Sequence, residues 1–313
     1  MLTNKKQSIF QNPIVLTLMA LLCCALWGSA TPAIKTGYQL LSVEGVPSIM
    51  LFAGVRFFMA GVFTVIIFSI ARRKFLFPQE KNWGRILTVS AFQTVIQYIL
   101  FYLGLSYTIG VKGTVASGTG AFFSVIIATL IFKQEKLTPK KIIACVMGFV
   151  GIVVINLNGL SFSGDWLDIF GVVLVVLSTI AYAFSSVLVK RFSAHEDPVI
   201  ISGYQFIIGG ALMEFVGLAL GGKISFGSVG GVLDLIYLAL LSAVAYSLWG
   251  ILLKHNPVSR VTVFTCATPI FGTVLTMIFM PHESGEVNII NLIITLVLVS
   301  SGILLLNYRR KEK

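Results

Sequence analysis

The chain has 313 residues, of which 57% are apolar and only 11% charged, and its mean hydropathy is +0.94. A water-soluble domain carries roughly 25% charged residues, so this composition excludes a soluble globular protein. The net charge of +11 invites a nucleic-acid partner, but its distribution assigns it to orientation in a lipid bilayer, and no nucleic-acid partner is expected.

Taken in chain order, continuous apolar segments are predicted at 14–40, 47–71, 84–107, 113–132, 140–157, 168–190, 199–220, 232–253, 258–280 and 288–307. A bilayer core takes about 20 apolar residues per helix. Strands of a membrane barrel run ~10 residues with alternating polarity, and these runs are continuous, so they are read as helices. The amino-terminal run after Lys5 and Lys6 is too long for a cleaved leader and is read as a retained first helix. Pro13, Pro47, Pro78, Pro139, Pro198, Pro257 and Pro281 fall at segment edges, where a missing backbone donor is harmless. Pro32 and Pro269 fall inside the first and ninth segments, where they are expected to break the helical ladder. Cys23, Cys24, Cys145 and Cys266 all lie in apolar segments without metal or redox spacing. They read as small packing residues, and no metal or cofactor is expected. Small residues four apart, Ala116 with Gly120 and Ala144 with Gly148, mark close helix approaches, with the fifth segment a packing helix.

The segments form two copies. Arg56-Phe57-Phe58-Met59-Ala60-Gly61 recurs as Gln205-Phe206-Ile207-Ile208-Gly209-Gly210, an offset of 149 residues, which also relates Thr119, Phe122 and Val125 to Thr268, Phe271 and Val274. Each copy holds five segments, so the second must enter the bilayer from the opposite side. The expected fold is an all-α polytopic membrane protein of ten transmembrane helices, arranged as two inverted five-helix repeats. The repeats span 1–160 and 161–313, meeting in the polar, Gly-rich stretch 158–164. Inverted repeats place a substrate site between the halves near the midplane, which points to a small-molecule transporter.

Charge supports this topology independently. Lys5 and Lys6, Arg72 to Arg85, Lys133 to Lys141, Lys190 with Arg191, Lys254 with Arg260, and the four basic residues of 309–313 fall on one side, 19 of the 23 basic residues. Lys35, Lys112 and Lys223 fall on the other, and Arg56 lies within a span. By the positive-inside rule both termini are cytoplasmic, and a multi-pass protein of the cell membrane, a bacterial inner membrane, is expected.

An ion inside a bilayer costs at least ~2.5–3.5 kcal/mol on insertion scales. Arg56 in the second segment therefore either attracts a substrate carboxylate or ties its helix to neighbouring carbonyls. Glu214 in the seventh is either a proton-coupling site or an interfacial side chain. Lys35 and Lys190, at segment ends, read as snorkelling side chains. Gln93 and Gln97 share a helical face, adjoined by Tyr98 and Tyr102. The 149 offset carries Gln93 to Ser242 and Gln97 to Tyr246, so Ser242, Tyr246 and Trp249 form a facing stripe. Trp27 and Tyr182 are a pseudo-symmetric pair. With Thr119, Ser117 and Gln205, the counterpart of Arg56, these make a candidate substrate surface of aromatic walls with few polar groups. Interfacial anchoring and helix bridging are the competing uses of such side chains.

Trp27-Gly28-Ser29, Pro32-Ala33-Ile34-Lys35, Pro47, Arg56-Phe57 with Ala60-Gly61, and Glu135-Lys136-Leu137-Thr138 leading into Gly148-Phe149-Val150-Gly151 resemble the EamA-type members of the drug/metabolite transporter superfamily. The resemblance covers essentially the whole chain and implies a ten-helix inverted repeat that exports small metabolites, commonly amino acids. Glu286-Val287-Asn288 is a poor copy of Glu135-Lys136-Leu137-Thr138, a departure in the second half.

The leading expectation is a secondary-active transporter that exports amino acids or related metabolites by alternating access. The alternative is a proton-coupled multidrug efflux transporter. There is no Walker sequence, and His195, His255 and His282 lie in loops, so neither an ATP-driven pump nor a membrane-embedded enzyme is expected, and no polar filter of a channel is visible. The bilayer and a small-molecule substrate are the expected partners, and a monomer meets these requirements.

Overall fold

The computed structural model of the chain describes residues 8–108, 110–157, 160, 165–279 and 288–307. The predicted linker at 158–164 (Leu160 apart), Pro281, His282, Glu286-Val287 and the basic residues of both termini lie outside the described residues. Ten helical stretches follow one another, and no strand occurs among the described residues. They are α1 (Pro13–Leu40), α2 (Gly45–Ala71), α3 (Glu80–Tyr107), α4 (Lys112–Ile131), α5 (Pro139–Ile155), α6 (Trp166–Phe192), α7 (Pro198–Ala219), α8 (Val229–His255), α9 (Val258–Phe279) and α10 (Ile289–Asn307). Nine of them are long and apolar enough to cross a membrane. The exception, α5, has 17 residues, about 25 Å of helix at 1.5 Å per residue.

Each helix satisfies its own backbone, which is what a segment in hydrocarbon requires. Caps follow ordinary chemistry at the ends. The Asn12, Asp165 and Asp197 side chains accept from the backbone N–H of the second residue of α1, α6 and α7.

Packing is symmetric about the axis relating the two repeats. Helix α2 packs on α7 and α5 on α10, each against its own counterpart. Helix α1 packs on α8 and α9, as α6 packs on α3 and α4. The α2–α7 crossing is the tightest of these. A Cβ added at Gly54 would stand 2.5 Å from the Glu214 backbone nitrogen, and one at Gly210 would stand 2.3 Å from the Phe58 backbone nitrogen. Lipid supplies no hydrophobic force between helices, so dispersion across such close approaches holds them together. At the back of the bundle the Thr295 hydroxyl donates to the Gly151 carbonyl across α5 and α10 at 2.8 Å.

Four irregularities depart from uniform helices, one of them a π-helical stretch at Ile127–Ile131 that ends α4. Helix α3 contains a π-helical turn at Ala91–Ile96, whereas the matching stretch of α8 is regular. Helix α4 breaks after Ser117, at Gly118 and Thr119. Helix α9 narrows to a 3-10 turn at Val263–Ala267 before resuming at Thr268. The breaks in α4 and α9 occupy corresponding places in the repeats. Pro269 is the second residue of the resumed α-helix, a first-turn position that suits its fixed φ. Pro32 does not break its helix: α1 runs unbroken past it. The carbonyl a proline there leaves undonated is that of Gly28, which lies beside Gly272 of α9.

Candidate functional site

Arg56 is buried to 4% exposure in α2, eleven residues after Gly45 and fifteen before Ala71. At 1.5 Å per residue that is roughly 17 Å and 23 Å from the two ends, close to mid-depth. Its Nε and one terminal nitrogen donate to the Ser242 hydroxyl of α8 at 3.1 and 2.9 Å. Ser242 in turn donates to the Leu238 carbonyl at 2.9 Å, which fixes its rotor and leaves its lone pairs to the guanidinium. Arg56 thus ties the first repeat to the second, and no carboxylate among the described residues is salt-bridged to it. Its guanidinium carbon lies 5.1 Å from the centroid of the Phe57 ring.

Around this cation runs an aromatic wall. Phe57 and Phe206, equivalent residues of the two repeats, stack at 5.0 Å and 6°. Phe57 also touches Tyr98 at 4.5 Å, and Phe206 meets Tyr246 edge-on at 4.8 Å. Trp27 lies 5.2 Å from Tyr246 and 4.9 Å from Trp249, and Tyr98 lies 5.8 Å from Tyr102. The Tyr98 and Tyr246 hydroxyls share a hydrogen bond of 2.9 Å. Their offset is 148, not 149. The π turn at 91–96 inserts one residue into α3, so Tyr98, rather than Gln97, comes opposite Tyr246.

The structure therefore brings together Trp27, Arg56, Tyr98, Tyr102, Ser242, Tyr246 and Trp249. Gln205 is fully buried in α7, where its carbonyl Oε1 accepts from Thr94 at 2.7 Å and its backbone carbonyl accepts from Ser90 at 2.9 Å. Gln93 is buried in the π turn beside Thr94. Thr119 sits at the α4 break and pairs with Thr179 of α6 at 3.1 Å, with Tyr182 one turn further along α6, near Gly120. Ser117 donates back to Gly113 at 2.8 Å within its own helix. Glu214 stands apart, half-buried over Gly54 at the α2–α7 crossing. Buried Trp27 Nε1, Gln97 Oε1, Gln205 Nε2 and Trp249 Nε1 have no hydrogen-bond partner among the described residues. Buried polar atoms are ordinarily paired, so these two indole donors, one amide donor and one acceptor suit a polar ligand.

Sequence reasoning missed Thr94, the stacked pair Phe57/Phe206 and Asp234, whose Oδ2 is buried without a hydrogen-bond partner among the described residues. Asp234 was visible in one respect: it lies eight residues before Ser242, on the same helical stripe. Lys190 was read as snorkelling, and the structure corrects that. Its ammonium donates to the Leu253 carbonyl at 3.0 Å and the Asn256 carbonyl at 2.5 Å, closing the carbonyl end of α8 where a cation is favoured.

The basic end of the bundle is laced by polar contacts between the repeats. Arg72 pairs with Asp197 at 2.5 Å. Glu196 accepts from the Gln79 backbone at 3.0 Å and from Asn82 at 2.9 Å. Glu135 holds Lys141 at 2.8 Å and the Ser259 hydroxyl at 2.5 Å. At the opposite end Asp168 of the second repeat bonds Lys112 and Thr108 of the first.

The family described as the EamA-like transporter family matches twice, at residues 15–157 and 169–308. An "Uncharacterized transporter" of Archaeoglobus fulgidus is 27% identical over 78% of this chain and 82% of its own length. The "Uncharacterized transporter YvbV" of Bacillus subtilis is 24% identical over 84% of each. A solved structure described only as "Crystal structure of protein" superposes with a TM-score of 0.76 at 18% identity, covering 93% of this chain and 95% of that one, which is a likeness of fold.

Proposed function

Because the chain belongs to the EamA-like transporter family, we propose that it is a secondary-active transporter of the cell membrane that exports amino acids or related small metabolites. The observation that carries this reading is Arg56, a cation held at mid-depth by a hydroxyl of the opposite repeat and set against the aromatic wall. A guanidinium in such a place suits a substrate carboxylate, since buried charge-assisted pairs are the strong ones. The aromatic wall supplies apolar surface for the rest of the molecule, and the unpaired indole N–H groups orient it.

The halves 1–160 and 161–313 rock against each other about the α2–α7 crossing, with both termini cytoplasmic. In this reading the laced basic end is the cytoplasmic side. The test is uptake into inverted vesicles across a panel of amino acids and lipophilic cations, with and without a proton gradient. Saturable uptake of an amino acid is expected. Uptake of a lipophilic cation and of no amino acid selects multidrug efflux instead. Glu214 is the proposed coupling acid, and coupling retained in Glu214→Gln rejects it.

A further inference from the structure

We infer that the basic end of the bundle holds a binding site for the headgroup phosphate of an anionic phospholipid, set between the starts of α5 and α9 and the end of α10. It shares no residue with the Arg56 site and does not depend on which substrate the chain moves.

A cavity of about 460 Å³ opens at this end. Thr138, Lys140 and Lys141 line it from the α5 side, Arg260 from α9, and Leu305 and Leu306 from α10. Glu135 is the one carboxylate among its described lining residues, and both of its oxygens are engaged. Oε2 accepts from the Lys141 ammonium at 2.8 Å and from the Ser259 hydroxyl at 2.5 Å, and Oε1 accepts from the Ser259 backbone at 3.3 Å. Arg260 is oriented by neutral acceptors. Its Nε donates to the Asn307 side-chain oxygen at 3.1 Å, and a terminal nitrogen donates to the Asn307 carbonyl at 3.4 Å. Three cations therefore line the cavity with one carboxylate, and a phosphate suits that excess because charge-assisted bonds to Arg and Lys are strong.

The end of a helix adds to the attraction. Helix α5 is 17 residues long and begins at Pro139, and the Thr138 hydroxyl at its cap position does not bond the helix. A helix amino end carries partial positive charge and outward N–H groups, both of which favour a phosphate. The apolar lining selects a lipid over a free anion. Leu305 and Leu306 lie beside a lipid-facing track on α10, where Leu304, Val297 and Ile293 are exposed, and Ile143 and Val146 are exposed on α5. Helices α5 and α10 pack together, so acyl chains can follow both. The cavity lies at the helix ends, the depth at which a phospholipid carries its phosphate, and basic pockets between helices take anionic headgroups. Lys140 and Lys141 belong to the first repeat and Arg260 to the second. A phosphate held by both adds a tie where Glu135 and Ser259 already make one.

The test titrates the purified full chain in detergent with dioctanoyl phosphatidylglycerol, dioctanoyl phosphatidylcholine or inorganic phosphate and reads the dissociation constant. Phosphatidylglycerol is expected to bind about tenfold more tightly than the zwitterionic lipid. Inorganic phosphate, with no acyl chain to bury, is expected to bind at least about a hundredfold more weakly. Lys140 is exposed, so Lys140→Gln should fold normally, with an unchanged unfolding midpoint in the absence of lipid. It is expected to weaken phosphatidylglycerol about fivefold. Lys136→Gln removes the same charge from an exposed residue of the same loop that does not line the cavity, and it is expected to leave binding unchanged. Equal affinity for the two lipids overturns the site. Equal weakening by Lys140→Gln and Lys136→Gln also overturns it, since that marks attraction to a diffuse basic surface. Inorganic phosphate that binds as tightly as phosphatidylglycerol assigns the cavity to a free anion and rejects the lipid.

Discussion

Substituting Gly210 by alanine tests the packing that sets Arg56 in place. The added Cβ would lie 2.3 Å from the Phe58 backbone nitrogen, 2.8 Å from the Phe58 Cα and 2.9 Å from the Gly54 carbonyl oxygen. All three are backbone atoms, so no side-chain rotation relieves the overlap. Restoring ordinary contact requires α2 and α7 to separate by roughly 1 Å, and a gap of that size forfeits a quarter to a half of the dispersion well for each contact it opens. Overpacking of this kind costs about 1–3 kcal/mol. Gly84 in α3 is the control, because an added Cβ there meets nothing within 4 Å, and alanine in a helix is neutral or slightly stabilising. In detergent, thermal unfolding of Gly210→Ala is expected several degrees below wild type, at roughly 2–4 °C per kcal/mol, with Gly84→Ala at or above it. Because α2 carries Arg56, its bonds to Ser242 lengthen as well, and the KM rises. A Gly210→Ala protein that unfolds at the wild-type midpoint refutes the account of the crossing.

The shared bond of Tyr98 and Tyr246 is open to a double-mutant cycle. Tyr98→Phe and Tyr246→Phe should couple by about 0.5–1.5 kcal/mol in unfolding free energy, and strict additivity refutes the pairing. Lys190→Met removes the cation that closes the end of α8. It should lower stability by about 1–2 kcal/mol, whereas a side chain that merely snorkels would lose next to nothing in the same denaturation.

The spans were legible because hydropathy along a membrane chain is a one-dimensional signal: each helix satisfies its own backbone and needs only apolar length. Nine of the predicted segments coincide with helices long and apolar enough to cross, and the fifth with the shorter α5. Arg56 stood out for the same reason, as a charge in the middle of an apolar run. Asp234 did not, since with a span predicted to begin at 232 it looked like an edge residue. The helix in fact starts at Val229, which draws the acid inward. The π turn in α3 has no sequence mark, so the offset of 149 carried Gln97, rather than Tyr98, to Tyr246. Lys190 was misread because its acceptors, the carbonyls of Leu253 and Asn256, lie in another helix more than sixty residues away.

By itself the sequence determined the number of helices, their division into two related halves and the presence of a mid-depth cation, all properties of a residue and its immediate neighbours. The tertiary structure decided what that cation faces. Which side chains meet across the repeats depends on helix rotation and separation, and those are set by backbone contacts such as Gly210 on Phe58 and by the extra residue in the π turn of α3. Only the assembled bundle places Ser242 and the aromatic wall beside Arg56, because interactions between helices in lipid act at contact distance.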